Sequence, residues 1–174
     1  PERTVPRQRR RRLMGEDYYT MWQAKEWRNL RIHVHAGHVG LTDDPEKRSY
    51  LVHKLVPAAA AWLSRALQVV PVKGRLRLGA RGQACAGLAI PSEHRSPGVA
   101  GADVIVYLST DPTTEGDLGW AKQCFIDQYG RPTAARVNIN PCYLEPAAAG
   151  KDWDRQVCTS RQLSCHGLVF CFFF

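Results

Sequence analysis

Three histidines fall within six residues, His33-x-His35-x-x-His38. On a strand, residues two apart share a face, so His33 and His35 could offer two imidazoles to one metal ion. His38 joins them only if a turn brings it back, and the spacing guarantees no carboxylate partner. The plainer reading is a strand whose histidines face solvent or a polar partner, because spacing outside a recognised ligand frame selects metal weakly. Six cysteines follow: Cys85, Cys124, Cys142, Cys158, Cys165 and Cys171. None forms a Cys-x-x-Cys pair, which excludes the usual zinc-ribbon and redox spacings. An even number is compatible with disulfides in an oxidising compartment. Cys124 and Cys142 flank the turn-rich segment Asp127-Gln128-Tyr129-Gly130-Arg131-Pro132. A bridge between them would close a loop of about 17 residues and stabilise by roughly 3 kcal/mol through chain entropy. The alternative is two free thiols.

The formal charge of +8 is concentrated at one end, where residues 1–12 hold six arginines against one glutamate. The run Arg9 to Arg12 reads as a solvated, disordered tail. Its functional alternatives are a processing site for a basic-specific protease or an electrostatic arm for anionic partners. A nucleic-acid-binding domain would spread its basic groups over a folded face, so no nucleic-acid partner is expected. Hydrophobic residues at 44% and charged residues at 23% of 174 argue for one globular domain, or a piece of one, and against a disordered chain. No run of about 18 apolar residues predicts a membrane-crossing helix. The first residues lack the apolar stretch of a secretory signal peptide, so either that route is not used or the true beginning is missing. No Asn-x-Ser/Thr acceptor occurs either.

The elements that would position these groups follow from periodicity. Residues 1–26 read as a tail, with a short helix near Tyr18 to Lys25. Leu30 to His35 alternates apolar and polar side chains, as a half-buried strand does, and Ala36 to Gly40 ends it as a turn. Asp43 or Asp44 can cap a helix whose first turn holds Pro45 and Glu46. Val52, Val56, Ala59, Leu63 and Leu67 form an apolar stripe from about Ser49 to Leu67, and Pro57 should kink it. Val69 to Val72 and Arg75 to Leu78 read as short strands either side of a Lys73-Gly74 turn, and residues 79–101 as irregular connection. Ala102 to Leu108 is nearly continuous apolar sequence, the pattern of a central strand buried on both faces. Arg136 to Ile139 makes a further strand. The order predicts an α/β (α+β) fold with a mixed sheet.

Within that frame an ordered series of blocks stands out. These are Leu30-Arg31-Ile32-His33-Val34, Leu51 to Ala59, Cys85 to Pro91, Ala102 to Leu108, Thr113-Thr114-Glu115-Gly116, Trp120 to Cys124, Asp127 to Pro132 and Val137-Asn138-Ile139. Over residues 27–146 the series resembles the amino-terminal catalytic subdomain of leishmanolysin-like zinc metallopeptidases. The resemblance implies a metzincin-type twisted mixed sheet with a long helix packed on it. It further implies zinc-dependent cleavage of protein or peptide substrates, outside the cell or in association with a membrane or cell surface. In such enzymes a later helix carries His-Glu-x-x-His, two zinc ligands one turn apart with a glutamate as general base.

Where that helix should stand, residues 147–174 form an aberrant tail. Aligned on His166, Gln162 occupies the first ligand position and Leu163 that of the base; one inserted residue puts Arg161 and Gln162 there instead. Leucine accepts no proton and an amide is a poor base for water. His166 alone remains as a metal-ligand position, too little to hold catalytic zinc stably, and no catalytic residue is assigned. The sequence ends at Phe172-Phe173-Phe174 before a third ligand. The expectation is a relative of the metalloendopeptidases that is inactive by itself. A non-catalytic binding or adhesion module and a basic-arm binder of nucleic acid or anionic membrane are the alternatives. Without the zinc-binding helix, Val104 to Leu108 is expected to expose apolar surface, which predicts poor solubility.

Overall fold

The computed structural model describes residues 26–41, 44–79, 84–113, 117–144 and 146. It begins with β1 (Arg28–Asn29) and β2 (Ile32–His38). A helix follows in three joined parts: α1 (Pro45–Tyr50), a π-helical turn (Leu51–Leu55) and α2 (Val56–Ala66). Next come β3 (Gln68–Val69), β4 (Arg75–Leu76), a small hairpin of β5 (Ala84–Cys85) and β6 (Leu88–Ala89), a 3-10 turn (Ser92–His94) and β7 (Val99–Ala100). The long strands β8 (Val104–Ser109), β9 (Gly119–Ile126) and β10 (Pro132–Ile139) complete the fold.

Four strands make the main sheet in the order β2-β8-β10-β9. β8 runs parallel to β2 and β10, and β9 turns back antiparallel to β10, so the sheet is mixed, as predicted. β8 is the expected central strand. Its side chains alternate between two cores. Leu108 joins Leu51, Leu55 and Ile139 under the helix. Ile105 and Tyr107 point the other way and pack with Leu76, Leu78, Cys85 and Ile90. Val104, Ile105, Tyr107 and Leu108 are between 0% and 4% exposed. The expected apolar surface at Val104 to Leu108 is therefore absent: the helix covers one face, and residues from segments 72–79 and 84–102 cover the other.

Sequence and structure part in four further places. β2 does not turn at Ala36 but continues to His38, carried through an irregularity in its pairing with β8. The helix start, by contrast, is as expected: it begins at Pro45, capped by the Asp44 carboxylate, which accepts from the Lys47 N–H at 3.0 Å. Pro57 is accommodated by the π-helical turn just before it, where the Val56 N–H reaches back to the Leu51 carbonyl. The wider turn relieves crowding between the proline ring and the preceding carbonyls. In residues 79–101, read as irregular, β5 pairs with β6, while β7 pairs with β4. β9, eight residues long, was not expected from the pattern at all.

A buried carboxylate locks the start of both parallel strands. Asp103 accepts from the Arg31 backbone N–H (3.0 Å), Arg31 Nε (2.9 Å) and Nη2 (2.8 Å), and from the Val72 N–H (2.7 Å). Burial alone would raise its pKa, but these hydrogen bonds and the Arg31 charge outweigh that and hold it below the ordinary value.

Candidate functional site

The histidines do converge. β2 places His33 and His35 on the face away from the helix. His38 lies three positions after His35, but their partners Tyr107 and Ser109 lie only two apart, so the extra residue returns His38 to that face. Gly37 makes the return possible, since a Cβ there would sit 2.6 Å from His35 Nε2. His94, from the 3-10 turn, comes down onto the same patch. Its ring lies 5.5 Å from that of His33 and 5.1 Å from that of His35, and His35 lies 5.4 Å from His38. His94 Nδ1 hydrogen-bonds the Tyr107 hydroxyl at 2.8 Å, and His38 Nε2 meets the Ala89 carbonyl at 3.1 Å.

Burial, reinforced by the neighbouring histidines, pushes His35 and His94 below the ordinary imidazole pKa, while Glu93 opposes the shift. Burial also drives the Tyr107 hydroxyl up to about 12. The contacts form a chain, His33 to His94 to His35 to His38. Among the described residues, no group of three or more His, Cys, Asp or Glu could hold a metal ion. The described residues thus present no ligand set for the zinc that the resemblance implies; in this cluster His94 meets the Tyr107 hydroxyl and His38 the Ala89 carbonyl. His166, Gln162, Leu163 and Arg161 lie outside the described residues, as do the Arg9 to Arg12 run and the Tyr18 to Lys25 helix.

Sequence reasoning missed a second polar cluster, at the carboxyl ends of the parallel strands. Arg136 is 8% exposed. Its Nε donates to Ser109 Oγ (3.0 Å), Nη1 to the Ala86 carbonyl and Nη2 to the Asp111 carboxylate, and its guanidinium lies 4.7 Å from the Trp120 ring centre. Asn138 Oδ1 accepts from Ser109 Oγ (2.9 Å) and the Asp111 N–H (2.7 Å), and Nδ2 donates to the Asp111 carbonyl (2.9 Å). Asn140 Nδ2 donates to Thr113 Oγ1 (2.7 Å) and the Asp117 carbonyl (3.1 Å). The signal was present in the alternation of Arg136, Asn138 and Asn140 with Val137 and Ile139. Together these residues fix where the chain leaves β8 and where it enters β9.

The disulfide is also not the expected one. Cys85 pairs with Cys124, and Cys142 is a free, exposed thiol. The β5–β6 hairpin crosses the sheet to reach β9, and a Cα–Cα distance of 5.1 Å suits a bridge. β9 is thus clamped by its ladder with β10, by the disulfide and by Arg136 over Trp120. Its outer edge pairs with no other strand among the described residues, so a row of its backbone donors and acceptors faces away from the sheet.

Comparison of the sequence with known proteins identifies its relatives. The leishmanolysin peptidase family model matches residues 23–168. A leishmanolysin homolog of Crithidia fasciculata is 27% identical over 153 residues, covering 73% of this chain and 23% of that protein. Leishmanolysin of Leishmania amazonensis is 34% identical over 100 residues, covering 57% of this chain and 16% of its own. Leishmanolysin of Leishmania chagasi is 32% identical over 100 residues, with the same shares. The chain thus spans less than a quarter of the length of these relatives. Matched over most of its residues, it belongs to the leishmanolysin family of peptidases.

Proposed function

We propose that this chain is the substrate-seating, amino-terminal part of a leishmanolysin-type metalloendopeptidase domain, extending over residues 27–146, and that by itself it does not hydrolyse peptide bonds. The observation that carries the reading is β9, an antiparallel edge strand held from three directions with its outer edge open. A protein or peptide substrate in extended form adds to such an edge through main-chain hydrogen bonds, with little regard for side chains. Zinc enters only through the family. The described residues give it no ligand set, and in residues 147–174 only His166 matches a ligand position, with Gln162 and Leu163 where a histidine and a glutamate belong. An extracellular or cell-surface setting agrees with the Cys85–Cys124 disulfide. No helix among the described residues is long and apolar enough to cross a membrane.

Two measurements test the proposal. Purified chain supplied with zinc should cleave casein no faster than the same chain with chelator; robust chelator-sensitive cleavage contradicts inactivity. An extended peptide carrying a photoreactive side chain should cross-link within residues 119–126. Cross-links confined to other segments contradict the seating role.

A further inference from the structure

Between the segment 70–79 and the turn joining β9 to β10 lies an open groove of about 1030 Å³. One wall carries Lys73, Arg75 and Arg77, exposed and alternating with buried Leu76 and Leu78. The salt bridges among the described residues use Arg31, Lys47, Arg131 and Arg136, so none of the three wall cations meets a carboxylate there. Arg75 Nε donates to the Gly98 carbonyl (2.9 Å) and Arg77 Nε to the Pro97 carbonyl (3.0 Å). These carbonyls take up the inner N–H of each guanidinium without neutralising it. Two charged forks are left already oriented, the arrangement a carboxylate matches through paired hydrogen bonds.

The opposite wall is mixed: its one carboxylate, Asp127, is paired with Arg131, and Gln128 lies beside its apolar side chains. Phe125 and Ile126 line it, and Ile126 is 57% exposed. The two walls are tied together by Arg131, which bonds Asp127 Oδ2 (3.1 Å) and the Val70 carbonyl (2.6 Å). Asp127 Oδ1 in turn accepts from the Tyr129 and Arg131 N–H groups, which stiffens the turn. The groove is therefore pre-shaped, and an incoming chain need not order it.

We infer that this groove docks an extended acidic peptide, its carboxylates on the Lys73–Arg75–Arg77 wall and a bulky apolar side chain against Ile126. Same-face side chains of an extended peptide recur about every 6.6 Å; Arg75 and Arg77 stand two residues apart at β4, and Lys73 stands at the bend just before it. A nucleic acid or sulfated polysaccharide would satisfy the cations but leave Ile126 in water. The inference does not depend on the peptidase reading, since docking requires no cleavage.

The test is fluorescence anisotropy of the full 174-residue chain with a labelled peptide alternating glutamate and leucine, beside a lysine–leucine counterpart and heparin. The acidic peptide should bind and the basic one should not. Lys73→Glu should weaken binding about tenfold and Ile126→Ser about threefold, and neither change removes a hydrogen bond described above. Arg75→Gln with Arg77→Gln should weaken it at least as much as Lys73→Glu. The Arg9 to Arg12 run adds the same background in every variant. No binding, equal binding of both peptides, or binding unchanged by the wall variants overturns the inference. So does binding lost in Lys73→Glu but untouched in Ile126→Ser with heparin competing fully, because that pattern marks a site for polyanions rather than peptides.

Discussion

Removing the disulfide by Cys85→Ala with Cys124→Ala puts a number on the clamp at β9. The two cysteines are 39 residues apart, so the bridge closes a loop of about 40 residues. On chain-entropy grounds that constraint contributes about 4 kcal/mol, against about 3 kcal/mol for the shorter Cys124–Cys142 loop. Alanine is the right replacement because Cys85 is 0% exposed and packed among Leu76, Leu78 and Ile105, where a serine hydroxyl would lack a partner. The lost sulfur leaves a small void and adds to the cost. Small domains are stable by only about 5–15 kcal/mol, so the loss is a large share of the total. Urea unfolding at pH 7 of the oxidised chain and the double variant measures it, alongside peptide mapping without reduction. A stability difference below about 1 kcal/mol, or a mapped peptide joining Cys124 to Cys142, refutes the reasoning.

The buried carboxylate gives a second expectation. Asp103→Ala leaves Arg31 and the Val72 N–H without their acceptor and should cost about 2–4 kcal/mol in urea unfolding, discounted because the Arg31 side chain is 37% exposed. The folded pKa of Asp103 is depressed, so its contribution is present above the ordinary carboxylate value and is lost as pH falls through the lower folded value; the variant should show a flatter acid limb. His35 and His94 act at higher pH. Both are held below the ordinary imidazole value of 6.5, so below that pH the unfolded chain takes up protons before the folded one, and stability falls as pH drops through this window. Thermal melts from pH 7.5 to 5.5 should show the decline, and His35→Gln with His94→Gln should reduce it. Gly98 has φ +92°, and a Cβ there would lie 2.6 Å from the Leu76 carbonyl oxygen. Gly98→Ala should therefore cost about 2–4 kcal/mol by urea unfolding, whereas Gly101→Ala, at φ +66° in open space, should cost about 1 kcal/mol.

What could be read from the sequence was what local pattern dictates. The apolar run ending at Leu108 has the pattern of a central strand, and the stripe through Leu63 that of a helix lying on something. The resemblance, carried by blocks spread from Leu30 to Ile139, supplied the family. What failed depended on contacts between distant segments. β9 was overlooked because Gly119-Trp120-Ala121-Lys122-Gln123-Cys124 lacks clean alternation: one of its faces holds Trp120 under Arg136, and its outer edge is open. Cys142 was the bridge partner considered for Cys124, beside two free thiols, because the hairpin carrying Cys85 sits in sequence that reads as irregular. The His33, His35 and His38 spacing was visible, but the extra residue before His38 and the arrival of His94 were not. Val104 to Leu108 was expected to be exposed for want of the zinc-binding helix; the covering role of residues 72–79 and 84–102, short strands and turns with little periodicity, cannot be seen until they are folded over the sheet.

The most direct test of the account is to titrate an isotope-labelled chain, with zinc present, with an unlabelled extended peptide, following backbone amide shifts and peptide integrity together. The account predicts shifts concentrated at Gly119 to Ile126, weaker ones on the β10 partners, and an intact peptide at the end. Silence along those eight residues, or chelator-sensitive cleavage of the peptide, would contradict it.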